Sequence, residues 1–231
     1  MRAYRFLSGR RLVVFAALAG LSLLVVAMVA VRVRYTGYDT YSNLIWNLFL
    51  AWVPLGFALV VYDGARRGMR GLWLVTFGAL WLLFFPNAPY LITDMKYVRE
   101  LGGAPIWYDA ALTGSAAFTG LALGFISLFL IHSVARRYVG ALWAWIGVWA
   151  VLALSSMGVF LGRFQRFNSW DVFTDPKPIL DDVGKGLTNP LDYPKVVAVT
   201  VVFSGFLVGT YLIFYGLARL TASTRDESHT T

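Results

Sequence analysis

The chain has 231 residues, of which 58% are hydrophobic and only 14% are charged. A soluble domain of this size carries about 25% charged residues, so the composition excludes a soluble globular protein. There is no cysteine, which excludes disulfides, thiolate catalysis and Cys-ligated metal sites. The sequence therefore predicts an integral membrane protein.

Six stretches are long enough to cross a membrane as helices, which takes about 20 apolar residues for about 30 Å of hydrocarbon. None of them contains Asp, Glu, Lys, Arg or His. They are 12–31, 44–62, 72–91, 110–131, 141–161 and 196–218. We expect an all-α, polytopic bundle of six transmembrane helices that forms one domain over 1–220. A polar, disordered cytoplasmic tail is predicted at 221–231.

The first span has the alternative of a cleaved secretory signal. Its apolar run of about 20 residues exceeds the range of about 7–15 that such signals use. An uncleaved anchor is therefore favoured.

The distribution of basic residues predicts that both termini are cytoplasmic. With the N-terminus inside, eleven Lys and Arg fall in inner segments and nine in outer loops, five of those nine in one long loop. Short loops set the orientation, because long loops cross largely regardless of charge. The net charge of +8 then lies at the inner face and needs no nucleic-acid partner.

The first of three outer polar segments ends the third span, over 84–94. Pro86 and Pro89 deny the backbone two donors and push the residue before each towards extended geometry. Non-helical backbone at membrane depth has to be covered by protein or water. Asn87 and Tyr90 therefore face other helices or a small aqueous cavity, or Asn87 simply caps the helix end.

The second and third outer segments carry charge. Asp109, just before the fourth span, is a candidate N-cap at the positive end of the helix dipole. Arg163 and Arg166 follow the fifth span, and if the helix continues past Gly162 they share a helical face at i, i+3. Their guanidiniums suit phosphate or carboxylate; the alternatives are snorkelling to the headgroups or pairing with an outer aspartate.

We expect these segments to converge, because they leave separate helices at one membrane face and carry opposite charges. At least one of Asp94, Asp109 and Asp171 should pair with Arg163 or Arg166. A short helix on the outer membrane surface, over 178–187, is predicted as a lid or a connector. The candidate cluster is Asn87, Tyr90, Asp94, Asp109, Arg163, Arg166, Asn168 and Asp171.

Several of these segments together resemble a known family, the bacterial membrane proteins called domain of unknown function 1361. The segments, in chain order, are 43–54, 80–94 (LWLLFFPNAPYLITD), 107–109, 120–128 and 162–171 (GRFQRFNSWD). The resemblance covers roughly 43–182. It implies a multipass membrane protein of a bacterial inner membrane, and it assigns neither an activity nor catalytic residues.

The residue types limit the chemistry. His132 and His229 are the only histidines, and neither reaches the outer cluster, so a Ser-His-Asp triad and a His- or Cys-ligated zinc site are excluded there. No phosphate-binding or dinucleotide glycine motif is present. We expect no cofactor; oxygen ligation of a hard cation by the outer aspartates is the metal chemistry left open. Transport is disfavoured, because the predicted spans hold no ionisable groups.

Glycines four residues apart predict close helix packing. They join helices within one bundle or, alternatively, two copies of the chain in a homo-oligomer. The pairs are Gly120 with Gly124, Gly158 with Gly162, and Gly205 with Gly209.

Two functional hypotheses remain, and in both the bilayer is a partner. One is an outer-face enzyme or binding protein for an anionic, lipid-associated ligand. The other is a structural or assembly subunit whose outer cluster is an internal salt-bridge network. A pocket open to the outer leaflet would favour the first, and a filled cluster with paired charges the second.

Overall fold

The computed structural model describes residues 9–98, 103–165, 174, 177 and 194–227. Within these residues all regular structure is helical, and five helices are long and apolar enough to span a membrane. The predicted surface helix at 178–187 lies outside the described residues. The elements are α1 (Gly9–Thr36), α2 (Ser42–Arg66), α3 (Leu72–Phe84), α4 (Asn87–Tyr90), a 3₁₀ segment (Leu91–Val98), α5 (Ile106–Phe160), a π-helical turn (Leu161–Gln165) and α6 (Pro194–Glu227).

The prediction of six separate helices is wrong, because the predicted fourth and fifth spans lie in one element, α5, of 55 residues. The residues between those spans, 132–139, contain polar side chains but neither glycine nor proline, so the helix continues through them. Gly140 alone interrupts it, with φ 81° and ψ 174°, a conformation that only glycine adopts readily.

The two halves of α5 lie side by side. As a straight helix this element would be about 80 Å long at about 1.5 Å per residue. Instead, the rings of His132 and Trp145 have centroids only 4.6 Å apart, and Leu121 and Leu152 line the same small cavity. The chain therefore folds back on itself at Gly140.

Contacts between helix ends define two faces of the bundle. The terminal face holds the start of α1, the Gly140 turn and the end of α6. Its contacts are Arg11–Asp63, Met69–Tyr138 and Arg136–Tyr215. The opposite, distal face is marked by the contacts Arg32–Asp109 and Asp94–Arg163.

The two prolines reshape the end of the third span without extending the chain. α3 ends at Phe84, and Phe85 has φ −55° and ψ −39°, so the expected extended geometry before Pro86 is wrong. Proline is tolerated at the start of a helix, and here Pro86 is the N-cap of α4. The Asn87 side-chain amide donates to the Phe84 carbonyl at 2.9 Å, which satisfies an acceptor at the end of α3.

Glycines in α5 bring this segment close. A Cβ on Gly120 would lie 2.4 Å from the Ala88 carbonyl oxygen, and one on Gly158 would lie 3.0 Å from Pro86 Cγ. These positions pack helices within one bundle. Cβ atoms at Gly205 and Gly209 would meet nothing within 4 Å among the described residues, so their predicted role in a homo-oligomer stays a prediction.

Both ends of the described bundle extend further than predicted. α1 continues past residue 31 and includes Arg32. α6 continues to Glu227, so the segment predicted to be disordered from Thr221 is helical as far as that residue.

Candidate functional site

A buried ion pair joins α1 to α5 at the distal face. Arg32 donates from Nε to Asp109 Oδ1 at 2.7 Å and from Nη2 to Oδ2 at 3.1 Å, and the two side chains are 1% and 2% exposed. Arg32 Nη1 also donates to Thr40 Oγ1 at 2.9 Å. The prediction of Asp109 as an N-cap is wrong: the N-cap of α5 is Pro105, and the Asp109 carboxylate instead compensates a buried guanidinium.

A second ion pair joins the 3₁₀ segment to the end of α5. Arg163 donates from Nη2 to Asp94 Oδ1 at 2.5 Å, from Nε to Thr93 Oγ1 at 2.8 Å and from Nη1 to the Tyr97 hydroxyl at 3.2 Å. Asn47 of α2 donates to the other Asp94 oxygen at 3.3 Å. Each of the three guanidinium nitrogens of Arg163 therefore donates to an acceptor in the protein.

Tyrosine rings lie against both guanidiniums. The Arg163 Cζ is 4.8 Å from the centroid of Tyr90 and 5.1 Å from that of Tyr97. The Arg32 Cζ is 4.5 Å from the centroid of Tyr41. Cation–π attraction strengthens when such a contact is shielded from water, so the rings hold both arginines in place.

The hydroxyl of Tyr41 feels the charges of both pairs. It is buried and has no hydrogen-bond partner among the described residues. Burial, followed by the negative charge of Asp109, raises the pKa of Tyr41 to about 12, with a smaller contribution from Asp94 and an opposing one from Arg32. The hydroxyl therefore stays protonated at neutral pH and can act as a donor.

A groove of about 430 Å³ opens beside the second ion pair. Its volume is within the range of about 300–1,000 Å³ that ligand pockets occupy. Its accessible surface is almost entirely apolar, and Thr93, Lys96 and Arg163 border it together with side chains of α5 and α6. The lining residues of this distal groove are Thr93, Lys96, Val159, Arg163, Ala198, Val199, Val202 and Phe203.

The predicted cluster is brought together only in part. Asp94, Arg163 and Tyr90 are in contact, which is the expected convergence of the first and third segments. Asp109 belongs to the separate pair with Arg32, and Asn87 binds the Phe84 carbonyl. The remaining candidates, Arg166, Asn168 and Asp171, lie outside the described residues.

Sequence reasoning missed Arg32, Asn47 and Lys96. The first predicted span ended at residue 31, so Arg32 was counted as a loop residue. Asn47 stands inside an apolar run, and that was a visible signal for a polar contact. Lys96 gave no local signal, because only the approach of α6 makes it part of a groove.

The described residues contain no group of three or more His, Cys, Asp or Glu side chains that could hold a metal ion. Asp94 and Asp109 each carry an arginine counter-charge instead. Cation binding by the aspartates therefore gains no support from this geometry.

Comparison with known proteins finds one family. The family described as "Protein of unknown function (DUF1361)" matches residues 46–222, which confirms the resemblance and extends it from 182 through most of α6. α1 and its Arg32 lie outside the match. No curated protein matches the chain, and no solved structure does.

Proposed function

Because the chain belongs to the DUF1361 family of proteins of unknown function, whose description carries no activity, we propose a function from the distal face. The protein is a multipass membrane protein that binds an anionic, lipid-associated ligand in the distal groove. The observation that carries this proposal is an apolar groove that is bordered by Lys96 and Arg163.

The proposed topology has six crossings, with both termini in the cytoplasm of a bacterium and the distal face outside its plasma membrane. α5 is far too long for one crossing of about 30 Å, and its fold-back at Gly140 supports two. The arginine-rich short segments belong to the terminal face, and the positive-inside rule places such segments in the cytoplasm.

Charge at the groove comes mainly from Lys96. Arg163 is neutralised by Asp94, whereas Lys96 is exposed and forms no ion pair among the described residues. Its ammonium lies 4.8 Å from the centroid of Tyr97. A phosphate group at Lys96 could also reach the rim formed by Thr93 and Arg163.

The apolar lining of the groove suits hydrocarbon. Val199, Val202 and Phe203 of α6 line it, and an acyl or polyprenyl chain would bury apolar surface there at about 25 cal/mol per Å². A phosphorylated lipid or a lipid-linked sugar combines both features. We assign no catalytic residue.

A non-catalytic structural or assembly subunit is the second candidate function. Its support is that both distal ion pairs are closed and that Arg163 already has three protein acceptors. In that case the cluster holds helices together, and the groove receives bilayer lipid or a partner helix.

A bulky side chain placed in the distal groove distinguishes lipid binding there from a purely structural function. Val202→Trp places a bulky ring in the groove, and Val201→Trp makes the same change at a residue that is 63% exposed and does not line it. We expect Val202→Trp to weaken binding of phosphatidylglycerol or a polyprenyl phosphate about tenfold, since excluding one apolar group loses about 1.5 kcal/mol. Val201→Trp should bind like the wild type.

Native mass spectrometry of the solubilised protein with titrated lipid measures this. Lys96→Gln should weaken the anionic lipids selectively and leave a neutral diacylglycerol unaffected. Equal lipid binding by the two tryptophan variants would remove the groove as a site and leave the assembly function in the lead.

A further inference from the structure

Two guanidiniums from different helices meet at one phenol oxygen on the terminal face. Arg136 of α5 donates from Nη1 to the Tyr215 hydroxyl at 2.5 Å, and Arg219 of α6 donates to it from Nε at 3.1 Å. The Arg219 Cζ also lies 5.2 Å from the Tyr215 ring centroid. Two positive charges are thus held a few ångströms apart.

No carboxylate neutralises these charges within the part of the chain whose side chains are described. The ion pairs there use Arg11, Arg32 and Arg163. Asp63, on the same face, is bound to Arg11. Because like charges at short range repel, an anion placed between Arg136 and Arg219 would be stabilised by both.

A buried histidine packs against Tyr215, and one of its ring nitrogens has no hydrogen-bond partner among the described residues. His132 is 2% exposed, and its ring stacks on Tyr215 with centroids 5.4 Å apart. Its Nδ1 lies 3.1 Å from the Tyr211 hydroxyl, while Nε2 is buried and has no hydrogen-bond partner among the described residues. His132 therefore supports the ring of Tyr215, the residue whose hydroxyl both arginines contact.

We propose that Arg136, Arg219 and the Tyr215 hydroxyl form a phosphate-binding site at the terminal face. Guanidinium forks match phosphate oxygens. The phenol oxygen accepts two hydrogen bonds here and keeps its own hydrogen to donate. Basic pockets between transmembrane helices on the cytoplasmic side bind phosphorylated lipid headgroups in this way.

The surroundings suit a lipid as the source of the phosphate. Leu212 and Leu220 are exposed on α6 on either side of the site, so hydrocarbon chains can lie along that helix. A free phosphorylated metabolite offers the same headgroup chemistry. The site lies at the face opposite the distal groove and does not depend on the function proposed there.

The test uses full-length protein with Val202→Trp in every sample, so that lipid at the distal groove contributes less and contributes equally to all variants. Native mass spectrometry follows titration with phosphatidylglycerol in one arm, and in the other arm glycerol phosphate is titrated with and without the lipid present. Arg136→Gln and Arg219→Gln each remove one guanidinium, and the matched control Arg137→Gln removes the exposed neighbouring one. Tyr215→Phe keeps the ring and removes the hydroxyl.

We expect Arg136→Gln, Arg219→Gln and Tyr215→Phe to weaken phosphatidylglycerol binding about tenfold or more, and Arg137→Gln by less than about twofold. Because Arg219 is exposed, its variant keeps the test valid should Arg136→Gln fail to fold. Displacement of the lipid by glycerol phosphate would support the site and identify the headgroup alone as the ligand; no displacement would support a lipid. Equal weakening by Arg137→Gln, or no binding of either probe to the parent protein, would overturn the proposal.

Discussion

Arg32 and Asp109 are almost inaccessible to solvent and come from positions 77 residues apart in the chain. Burial removes the hydration of both charges, which costs free energy. The two hydrogen bonds between the side chains compensate part of that desolvation cost. If one partner is removed, the other becomes a buried charge without compensation. The pair Arg11–Asp63 at the terminal face is only partly buried, so water compensates either charge when its partner is removed.

Asp109→Asn should therefore lower the free energy of unfolding by about 3–5 kcal/mol. Asp63→Asn is the matched control, because its pair with Arg11 is 24% and 27% exposed and such pairs contribute about 0–1 kcal/mol. Denaturant-induced unfolding of both variants in one detergent measures the difference. Similar losses in the two variants would show that burial does not strengthen the distal pair.

For individual side chains, the sequence identified the polar residues but not their partners. Asp94, Asp109 and Arg163 are conspicuous because they interrupt apolar sequence. Which carboxylate meets which arginine depends on which helices are neighbours, and local patterns do not contain that information. Arg32 was missed for this reason, and Asp109 was given a local capping role.

Helix α4 fits against a notch in α5 at Gly120. The Ala88 carbonyl and Leu91 Cδ1 would lie 2.4 and 2.7 Å from a Cβ at this position. The Gly120–Gly124 spacing predicted a close approach, and the structure supplies the neighbour, the short helix that begins after Pro86. The sequence located the apolar runs, but it could not show that a single glycine would serve as the turn between two of them.

Gly120→Ala should destabilise the protein by about 1–3 kcal/mol, because backbone and side chain must shift to admit a methyl group. Gly114→Ala in the same helix meets nothing within 4 Å and should be neutral or stabilising by up to about 1 kcal/mol, since alanine is the better helix former. Thermal unfolding followed by tryptophan fluorescence compares them. Loss of stability at both positions would contradict the close contact at Gly120.

The whole molecule has its described termini at one face and its buried ion pairs at the other. The all-helical class was predicted from uncharged apolar runs of about 20 residues, the length that a helix needs to cross a membrane, and the described residues confirm it. The arginine counts predict the orientation, and that stays a prediction. Composition does not show which helices are neighbours. That arrangement forms the distal groove, because it brings α6 next to the 3₁₀ segment.

Single cysteines test the orientation, because the chain contains none of its own. Tyr38 lies in the exposed turn after α1 at the distal face, and Arg70 lies in the exposed turn before α3 at the terminal face. With an impermeant thiol reagent on intact cells, Tyr38→Cys should be labelled and Arg70→Cys should not. Arg70→Cys should react only after the membrane is permeabilised; the reverse pattern would invert the topology.

The fold-back at Gly140 also bears on the order in which the protein assembles. Its two half-helices meet across a turn of one residue, so their contacts close the shortest loop and lose the least chain entropy. Contacts local in sequence form early, whereas Arg32 meets Asp109 only after the intervening chain has been synthesised. We therefore expect the α5 hairpin to form as an early unit. α1 precedes α5 in the chain, so its Arg32 should remain among hydrated headgroups until that unit supplies Asp109.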